Sequence, residues 1–209
     1  MTREAFFAWY LSDHLPAVSV RCEQVSACGV QVDAETTELS DGYQRRVCSH
    51  VRLTRGAAQY EYDCVGIDFC AQQLTPLHFG GRDYLCLRKC LYGFTLLDVE
   101  TLFEAYDYFP ANCDFAAGEE SFICAIVMTF GDYLIFDGCF WACADGVCVA
   151  FDPELRRFVC VSDRVEECHV AGDRLVVSMV DDTPERSFTK SELASLFELA
   201  GRTDLPTFP

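Results

Sequence analysis

Hydrophobic residues recur at helical spacing in three segments of the chain. Residues 3–15 place aromatic and aliphatic side chains three and four positions apart, which is typical of an amphipathic helix. Residues 95–109 show the same period and begin with a Thr-x-x-Asp pair that resembles a helix-capping box. Residues 189–200 begin with a clearer capping box, formed by Thr189 and Glu192. The pattern therefore predicts an N-terminal, a central and a C-terminal helix.

Alternation of apolar and polar residues predicts strands elsewhere. Residues 46–53 alternate strictly, which is the period of a half-buried strand and puts Cys48 and His50 on the same face. Residues 35–42 are polar and predict a loop. Residues 122–180 contain several short apolar runs separated by turn residues, and these runs predict an antiparallel β meander.

Together the elements predict an α+β fold. In it, the antiparallel β meander of roughly residues 122–180 packs with the N-terminal helix, the central helix (95–109) and the C-terminal helix (189–200). Strands that are grouped along the chain and separated from the helices favour this class. No repeat or clear linker interrupts the sequence. We therefore expect one domain over residues 1–209, with a weak seam near residues 110–120.

The chain is strongly acidic. Its 33 acidic and 16 basic residues give a formal net charge of −17. Nucleic acids and anionic membranes are bound through positive surfaces, so we expect neither as a partner. No uncharged apolar run reaches the roughly 18 residues that indicate a membrane span. The acidity instead favours a basic protein as the partner.

Fourteen cysteines are many for a chain of 209 residues. Several of them lie within apolar runs, where a free cysteine behaves as a small buried hydrophobe. The N-terminal residues lack the basic region and the cleavage site of an export signal. We therefore expect reduced thiols and an intracellular protein of the cytoplasm or nucleus, which is not secreted.

The spacing of the cysteines does not indicate a metal site. The C-x2-C spacing of a zinc knuckle does not occur, and the shortest repeated spacing is C-x3-C. The dipeptide Asp145-Gly146 is typical of a two-residue hairpin turn, which would place Cys143 opposite Cys148 on neighbouring strands. We interpret that pair as two small residues packed side by side, and we expect no metal and no cofactor.

No catalytic motif occurs in the sequence. A phosphate-binding glycine loop, a dinucleotide fingerprint and a nucleophile elbow are all missing from it. Cys48 and His50 share a strand face, but such a pair is active only when the base is within hydrogen-bond reach and a third group orients it. We therefore assign no catalytic residue and expect that the protein is not an enzyme.

The most unusual segment is residues 90–155, which contain twelve acids and fourteen aromatics but no Lys, Arg or His. Aromatic side chains supply contact area in protein interfaces, and charge steers the encounter. We therefore predict that acids in the central helix and the turns of this segment bind a partner. These acids are Glu100, Glu104, Asp107, Glu119, Glu120 and Asp132. The alternative is that they are scattered and paired with arginines from elsewhere in the fold.

The run TFGDYLIFDGCFWACADGVCVAFD, followed by the acidic helical segment SELASLFELAG, resembles the C-terminal half of SUKH-superfamily domains. Those domains are α+β protein-binding modules that occur among toxin-immunity proteins and in large DNA viruses. The resemblance covers less than half of the chain and includes no diagnostic motif. It implies a protein-binding role and assigns no role to any single residue.

These observations predict a non-enzymatic protein-interaction module, such as an immunity, inhibitor or virus–host accessory protein. It would bind a basic partner through an acidic, aromatic-bearing face. One alternative is an intracellular thiol-dependent or hydrolytic enzyme with a dispersed active site, which a perturbed cysteine or carboxylate in a cleft would favour. Another is a viral structural or tegument-like subunit, which a large apolar interface would favour.

Overall fold

Strands form most of the structure. It is a computed structural model and describes residues 2–67, 69, 74–109, 122–140, 146–155, 157–180 and 183–200. Strands account for 64% of these residues and helices for 11%. The predicted α+β class with three helices is therefore wrong, because the described residues form mostly antiparallel β-sheet and two short helices. None of the helices in these ranges is long and apolar enough to cross a membrane.

The chain divides into two compact units. The first is Met1–His78 with Arg82–Glu119, and the second is Phe79–Gly81 with Glu120–Pro209. The single domain expected over the whole chain stays a prediction. The predicted seam near residues 110–120 lies outside the described residues.

The described residues of the first unit form one helix and two four-stranded antiparallel sheets. In chain order its elements are α1 (Arg3–Tyr10), β1 (Ala17–Ala27), β2 (Val30–Ser40), β3 (Arg45–Arg55), β4 (Ala58–Val65), β5 (Leu74–Phe79), β6 (Arg82–Leu87), β7 (Phe94–Asp98) and β8 (Glu104–Tyr108). The strand order is β1-β2-β3-β4 in one sheet and β5-β6-β7-β8 in the other. The predicted N-terminal helix is present as α1, but it is shorter than predicted.

The core of the first unit lies between its two sheets. Val51 and Leu53 from β3 and Leu85 and Leu97 from the other sheet are fully buried in one cluster. Burial of each such side chain stabilises the fold by about 1.5–3 kcal/mol. On β3 the buried residues alternate with exposed ones, so the strand predicted from residues 46–53 is confirmed.

β2 continues through most of the segment that was predicted as a loop. Val32, Ala34 and Thr36 are buried, whereas Glu35 between them is exposed. The Thr36 hydroxyl is satisfied inside the core by the Ser49 hydroxyl, at an oxygen–oxygen distance of 2.8 Å. A polar residue with a buried partner therefore occupies a core position, and this is why the segment resembled a loop.

Residues 94–108 form a β-hairpin where the sequence predicted the central helix, so that prediction is wrong. β7 pairs with β8 in antiparallel fashion. The Asp98 carboxylate accepts a hydrogen bond from the Thr101 backbone N–H at 2.9 Å, which stabilises a turn instead of capping a helix. Phe103, on the apolar stripe of the predicted helix, is exposed. β7 is an inner strand with successive residues buried, so its apolar run has no strand period to recognise.

In the second unit, the part of the chain that the structure describes forms a six-stranded antiparallel sheet and one helix. Its elements are β9 (Phe122–Phe130), β10 (Tyr133–Phe140), β11 (Gly146–Asp152), β12 (Arg157–Ala171), β13 (Arg174–Met179), β14 (Arg186–Thr189) and α2 (Lys190–Ala200). The strand order is β14-β13-β12-β11-β10-β9. Leu193 and Phe197 of α2 are buried in the core of this sheet, and the Phe197 ring stacks on Tyr133 at 5.0 Å between centroids.

The capping box predicted at the start of the C-terminal helix is confirmed. The Glu192 backbone N–H donates to Thr189 Oγ1 at 3.3 Å, and the Thr189 backbone N–H donates to Glu192 Oε2 at 2.7 Å. These bonds satisfy backbone donors that the start of a helix leaves without intrahelical partners. The hydrogen bonds from the Thr189 backbone and hydroxyl also lower the pKa of Glu192.

The two-residue hairpin turn predicted at Asp145-Gly146 includes Asp145, which lies outside the described residues. Gly146 is the first residue of β11, and Cys148 lies opposite Asp137 of β10. Cys143, the predicted cross-strand neighbour of Cys148, also lies outside the described residues. An added Cβ at Gly146 would lie 2.5 Å from the Val165 carbonyl oxygen, so glycine is needed here for the close approach of β12.

Candidate functional site

One face of the first sheet is polar and open. Side chains that alternate with the buried ones share this face, and the strand register aligns them in rungs across β1 to β4. One rung contains Cys22, Glu35, His50 and Asp63, and the next contains Gln24, Asp33, Arg52 and Glu61. We call these eight residues the polar face. Its four carboxylates outnumber its single arginine, so the face is acidic.

Several side chains of the polar face contact one another within it. Arg52 Nε donates to Glu61 Oε1 at 2.6 Å, and this hydrogen bond lowers the pKa of Glu61. His50 Nδ1 lies 2.9 Å from Asp63 Oδ1. A depression of about 480 Å³ lies over the first three strands of the face.

Glu35 differs from the other carboxylates of the polar face. Its side chain is exposed, and within the described part of the chain no hydrogen bond or ion pair engages it. The strand register places it between Cys22 and His50. The polar face therefore has an unmatched negative charge at its centre.

A partly apolar groove adjoins the polar face beside α1. Its volume is about 320 Å³. It is lined by Phe7, Ala8 and Leu11 of α1, by Thr37, Cys48, Ser49 and Val65 of the sheet, and by Glu35, His50 and Asp63 of the polar face. We call it the groove. Glu35 and His50 line both the groove and the depression over the polar face, so the two cavities adjoin.

Contacts at both ends of α1 hold it against the two sheets of the first unit, with β8 near its start and β3 near its end. Near its start, Arg3 Nη1 donates to Asp107 Oδ2 at 2.5 Å, and Phe6 is buried. Near its end, the Arg46 guanidinium lies 4.7 Å from the centroid of the Tyr10 ring. Because Phe6 is buried, the helix cannot rotate freely. The α1 side chains that line the groove therefore keep their position beside the buried side of the helix.

The acids predicted to bind a partner occupy different parts of the chain. Glu100, Glu104 and Asp107 lie in the first unit, Asp132 lies in the turn between β9 and β10 and is exposed, and Glu119 and Glu120 lie outside the described residues. Glu100 pairs with Arg55 at 2.5 Å. Because residues 94–108 form a hairpin, Glu100 and Glu104 do not share a helix face. Binding of a partner by these acids stays a prediction.

Glu104 and Asp107 belong to an ionic cluster around a buried lysine. Lys89 Nζ lies 2.8 Å from Glu104 Oε1 and 3.8 Å from Asp107 Oδ1. The Tyr60 hydroxyl donates to Glu104, and the Thr95 hydroxyl donates to Asp107. We call these five residues the Lys89 cluster. Its two acids are engaged inside the first unit.

Burial by itself would raise the pKa of both acids of the Lys89 cluster. For Glu104, hydrogen bonds from Lys89 and Tyr60 more than offset burial and lower the pKa. For Asp107, hydrogen bonds from Arg3 and Thr95 and the nearby positive charges do the same. Burial and the hydrogen bond to Glu104 raise the pKa of Tyr60 well above its usual range. Both acids are therefore ionised at neutral pH, and Tyr60 is protonated.

Two thiols bear on the alternative that the protein is an enzyme. Burial and the negative charge of Asp63 raise the pKa of Cys48, which lies on the same strand face as His50. A hydrogen bond with Cys168, together with burial, raises the pKa of Cys148 in the second unit. A nucleophilic thiol needs a lowered pKa, so neither thiol has the environment of a catalytic cysteine.

The described residues show neither a disulfide bond nor a group of metal ligands. The ten cysteines whose side chains the structure describes form no disulfide bond. Within the same ranges, no group of three His, Cys, Asp or Glu side chains could hold a metal ion.

Comparison with known proteins identifies no family. No family model matches the chain, and no curated protein matches it. Among solved structures, the chain is similar to one described as the crystal structure of HIRA(644-1017), with 14% sequence identity and a TM-score of 0.37. The match covers 83% of this chain and 54% of that chain. The chain thus spans about half the length of that structure, and so low a similarity carries no conclusion about this protein.

Reasoning from the sequence missed the polar face. It placed Cys48 and His50 on one face correctly, but it treated Glu35 as part of a loop. The signal was available in β2, where polar residues alternate with buried ones as far as Thr37. Only the register of the four strands shows that Glu35 and Asp63 share a rung.

Proposed function

We propose that this protein is a protein-interaction module that binds a basic partner through the polar face and the groove. The observation that carries the proposal is the unmatched carboxylate of Glu35 beside an apolar wall formed by Phe7 and Leu11. A basic partner would meet Glu35 with a lysine or arginine side chain, and its apolar groups would pack on α1.

This proposal keeps the class predicted from the sequence and moves the binding surface. Acidic charge that is free for a partner is found on β2, while two acids of the 90–155 segment are engaged by Lys89. The class includes immunity, inhibitor and virus–host accessory proteins. The raised pKa values of Cys48 and Cys148 give no support to a thiol-dependent enzyme.

Charge on an exposed face acts mainly on the rate of encounter with a partner. Exposed ion pairs contribute about 0.2–1 kcal/mol each, and salt screens them with a Debye length of about 8 Å at physiological ionic strength. Loss of one carboxylate should therefore weaken binding by about 1.4- to 5-fold. The affinity should also fall as the salt concentration rises.

The test uses a fluorescein-labelled probe peptide, acetyl-Ser-Arg-Thr-Lys-Thr-Val-Ser-amide, which has two basic side chains and one apolar side chain. Fluorescence anisotropy would measure its affinity at low and high salt for the protein and for Glu35→Gln. Glu154→Gln is the matched control, since it removes an exposed carboxylate from the second unit. We expect weaker binding for Glu35→Gln and unchanged binding for Glu154→Gln. Equal affinities for all three proteins, or affinity that salt leaves unchanged, would contradict the proposal.

A further inference from the structure

β1 is an exposed edge strand next to the polar face. It has 11 residues and, among the described residues, pairs with β2 alone. Residues 17–22 are exposed at every position, and the Arg21 guanidinium donates to the Phe69 carbonyl oxygen at 3.4 Å. A strand at the edge of a sheet carries backbone N–H and C=O groups that point away from the sheet and can pair with another chain.

The side chains of β1 extend the surfaces of the polar face and the groove. Val20 is 60% exposed and shares a rung with Thr37 and Cys48, which line the groove. Cys22 and Gln24 occupy the outer positions of the two acidic rungs. Along this edge, the apolar Val20 is therefore followed, at every second residue, by Cys22 and Gln24, which both lie beside carboxylates.

We propose that β1 accepts an extended basic segment of the partner as a fifth, antiparallel strand. The proposal rests on the proposed function and specifies how the partner binds. Antiparallel addition continues the pairing of the whole sheet. Main-chain hydrogen bonds to the edge supply affinity, and side chains at alternate positions supply specificity.

The register of the sheet determines which residues the segment carries. Alternate side chains of an added strand would project over the polar face, opposite Val20, Cys22 and Gln24. The strand would lie about 10 Å from β2, which is two strand spacings. A lysine or arginine opposite Cys22 can lie across that small side chain and meet the carboxylate of Glu35, which extends from the other side.

The preferred ligand is therefore a segment with two basic residues and one apolar residue at two-residue spacing. In the antiparallel direction it reads basic-x-basic-x-apolar, with the apolar residue opposite Val20. The probe peptide has this order, Arg-Thr-Lys-Thr-Val. A peptide of the same composition with adjacent basic residues, Thr-Arg-Lys-Thr-Val, would direct one of them away from the polar face.

Backbone methylation of the probe peptide tests the strand pairing. In an antiparallel pair, the N–H groups of alternate residues point to the neighbouring strand and the others point away. One peptide is methylated on the backbone nitrogens of Arg and Lys, and another on those of the two central threonines. We expect one of the two to lose affinity by about tenfold or more, as for the loss of two main-chain hydrogen bonds, while the other binds like the parent.

Val20→Lys tests the edge from the side of the protein. It adds a positive charge and removes apolar contact at an exposed position, so the fold is retained. We expect a loss of affinity of about tenfold for the probe peptide. Val170→Lys is the matched control, since Val170 is also exposed on a strand but lies in the second unit. We expect this variant to bind like the unmodified protein.

The outcomes separate this proposal from the proposed function. If both methylated peptides and the peptide with adjacent basic residues bind like the parent, while Glu35→Gln still binds more weakly, strand addition is overturned and the basic partner stands. If the parent peptide does not bind, both are overturned. If sedimentation shows a dimer that Val20→Lys dissociates, the edge is occupied by a second copy of the chain, and the partner-strand proposal is overturned.

Discussion

Replacement of Lys89 by methionine removes the charge at the centre of the Lys89 cluster and keeps most of the side-chain stem. The lysine is buried, and its removal leaves Glu104 and Asp107 without their shared cation. Loss of one partner from a fully buried ion pair costs about 3–5 kcal/mol. Here the carboxylate side chains are 39% and 35% exposed, and Asp107 keeps its bond to Arg3. We therefore expect the first unit to lose about 2 kcal/mol of stability at pH 7.

Urea unfolding in a Trp141→Phe background measures this loss, because Trp9 of α1 then reports on the first unit. With a typical slope of about 2 kcal/mol per molar urea, the midpoint should fall by about 1 M. Lys190→Met is the control, since it makes the same change at the other, exposed lysine. The Trp9 transition of that variant should not move.

The loss caused by Lys89→Met should also depend on pH. The pKa of Glu104 is lowered in the folded protein, from an ordinary value of 4.5. A lowered carboxyl pKa contributes stability above the unfolded value, and this contribution is lost as the pH falls through the folded pKa. The difference between the two proteins should thus be complete at pH 7 and shrink below pH 4.5. A loss under about 0.5 kcal/mol, or one that is equal at pH 7 and pH 3, would refute this account of the cluster.

Three further predictions concern a glycine, a helix cap and the thiols. Gly93→Ala should lower the melting temperature by at least about 5 °C more than Gly42→Ala. Both glycines have positive φ, but only the Cβ at position 93 would lie 2.1 Å from a backbone oxygen, that of Tyr108. Equal shifts in melting temperature would contradict the clash. Thr189→Ala should cost about 1 kcal/mol in urea unfolding through loss of the capping box, and Ser195→Ala, within the same helix, should cost less; the reverse order would show that the cap is unimportant. Mass spectrometry after treatment with a maleimide should find the exposed Cys22 and Cys28 modified in the folded protein and the buried Cys64 and Cys86 only after unfolding; equal rates would contradict their burial.

Some elements of the fold can be predicted from the local sequence. Residues 46–53 alternate because β3 has one face in the core and one in solvent, so the period of the strand appears directly in the chain. The capping box of α2 closes between Thr189 and Glu192, within one helical turn, and both of its hydrogen bonds are predictable from residue types. In both cases the physical cause lies within a few residues.

The position of the candidate site was decided by tertiary structure alone. Glu35 became part of an acidic face because β2 and β3 pair in a particular register, and a polar segment gives no sign of such pairing. Asp107 was predicted to face a partner, yet its cation, Arg3, comes from 104 residues away in the chain. β7 lost its strand period because neighbours cover both of its faces. These outcomes depend on which strands the fold places side by side, and a short stretch of sequence contains no information about its distant neighbours.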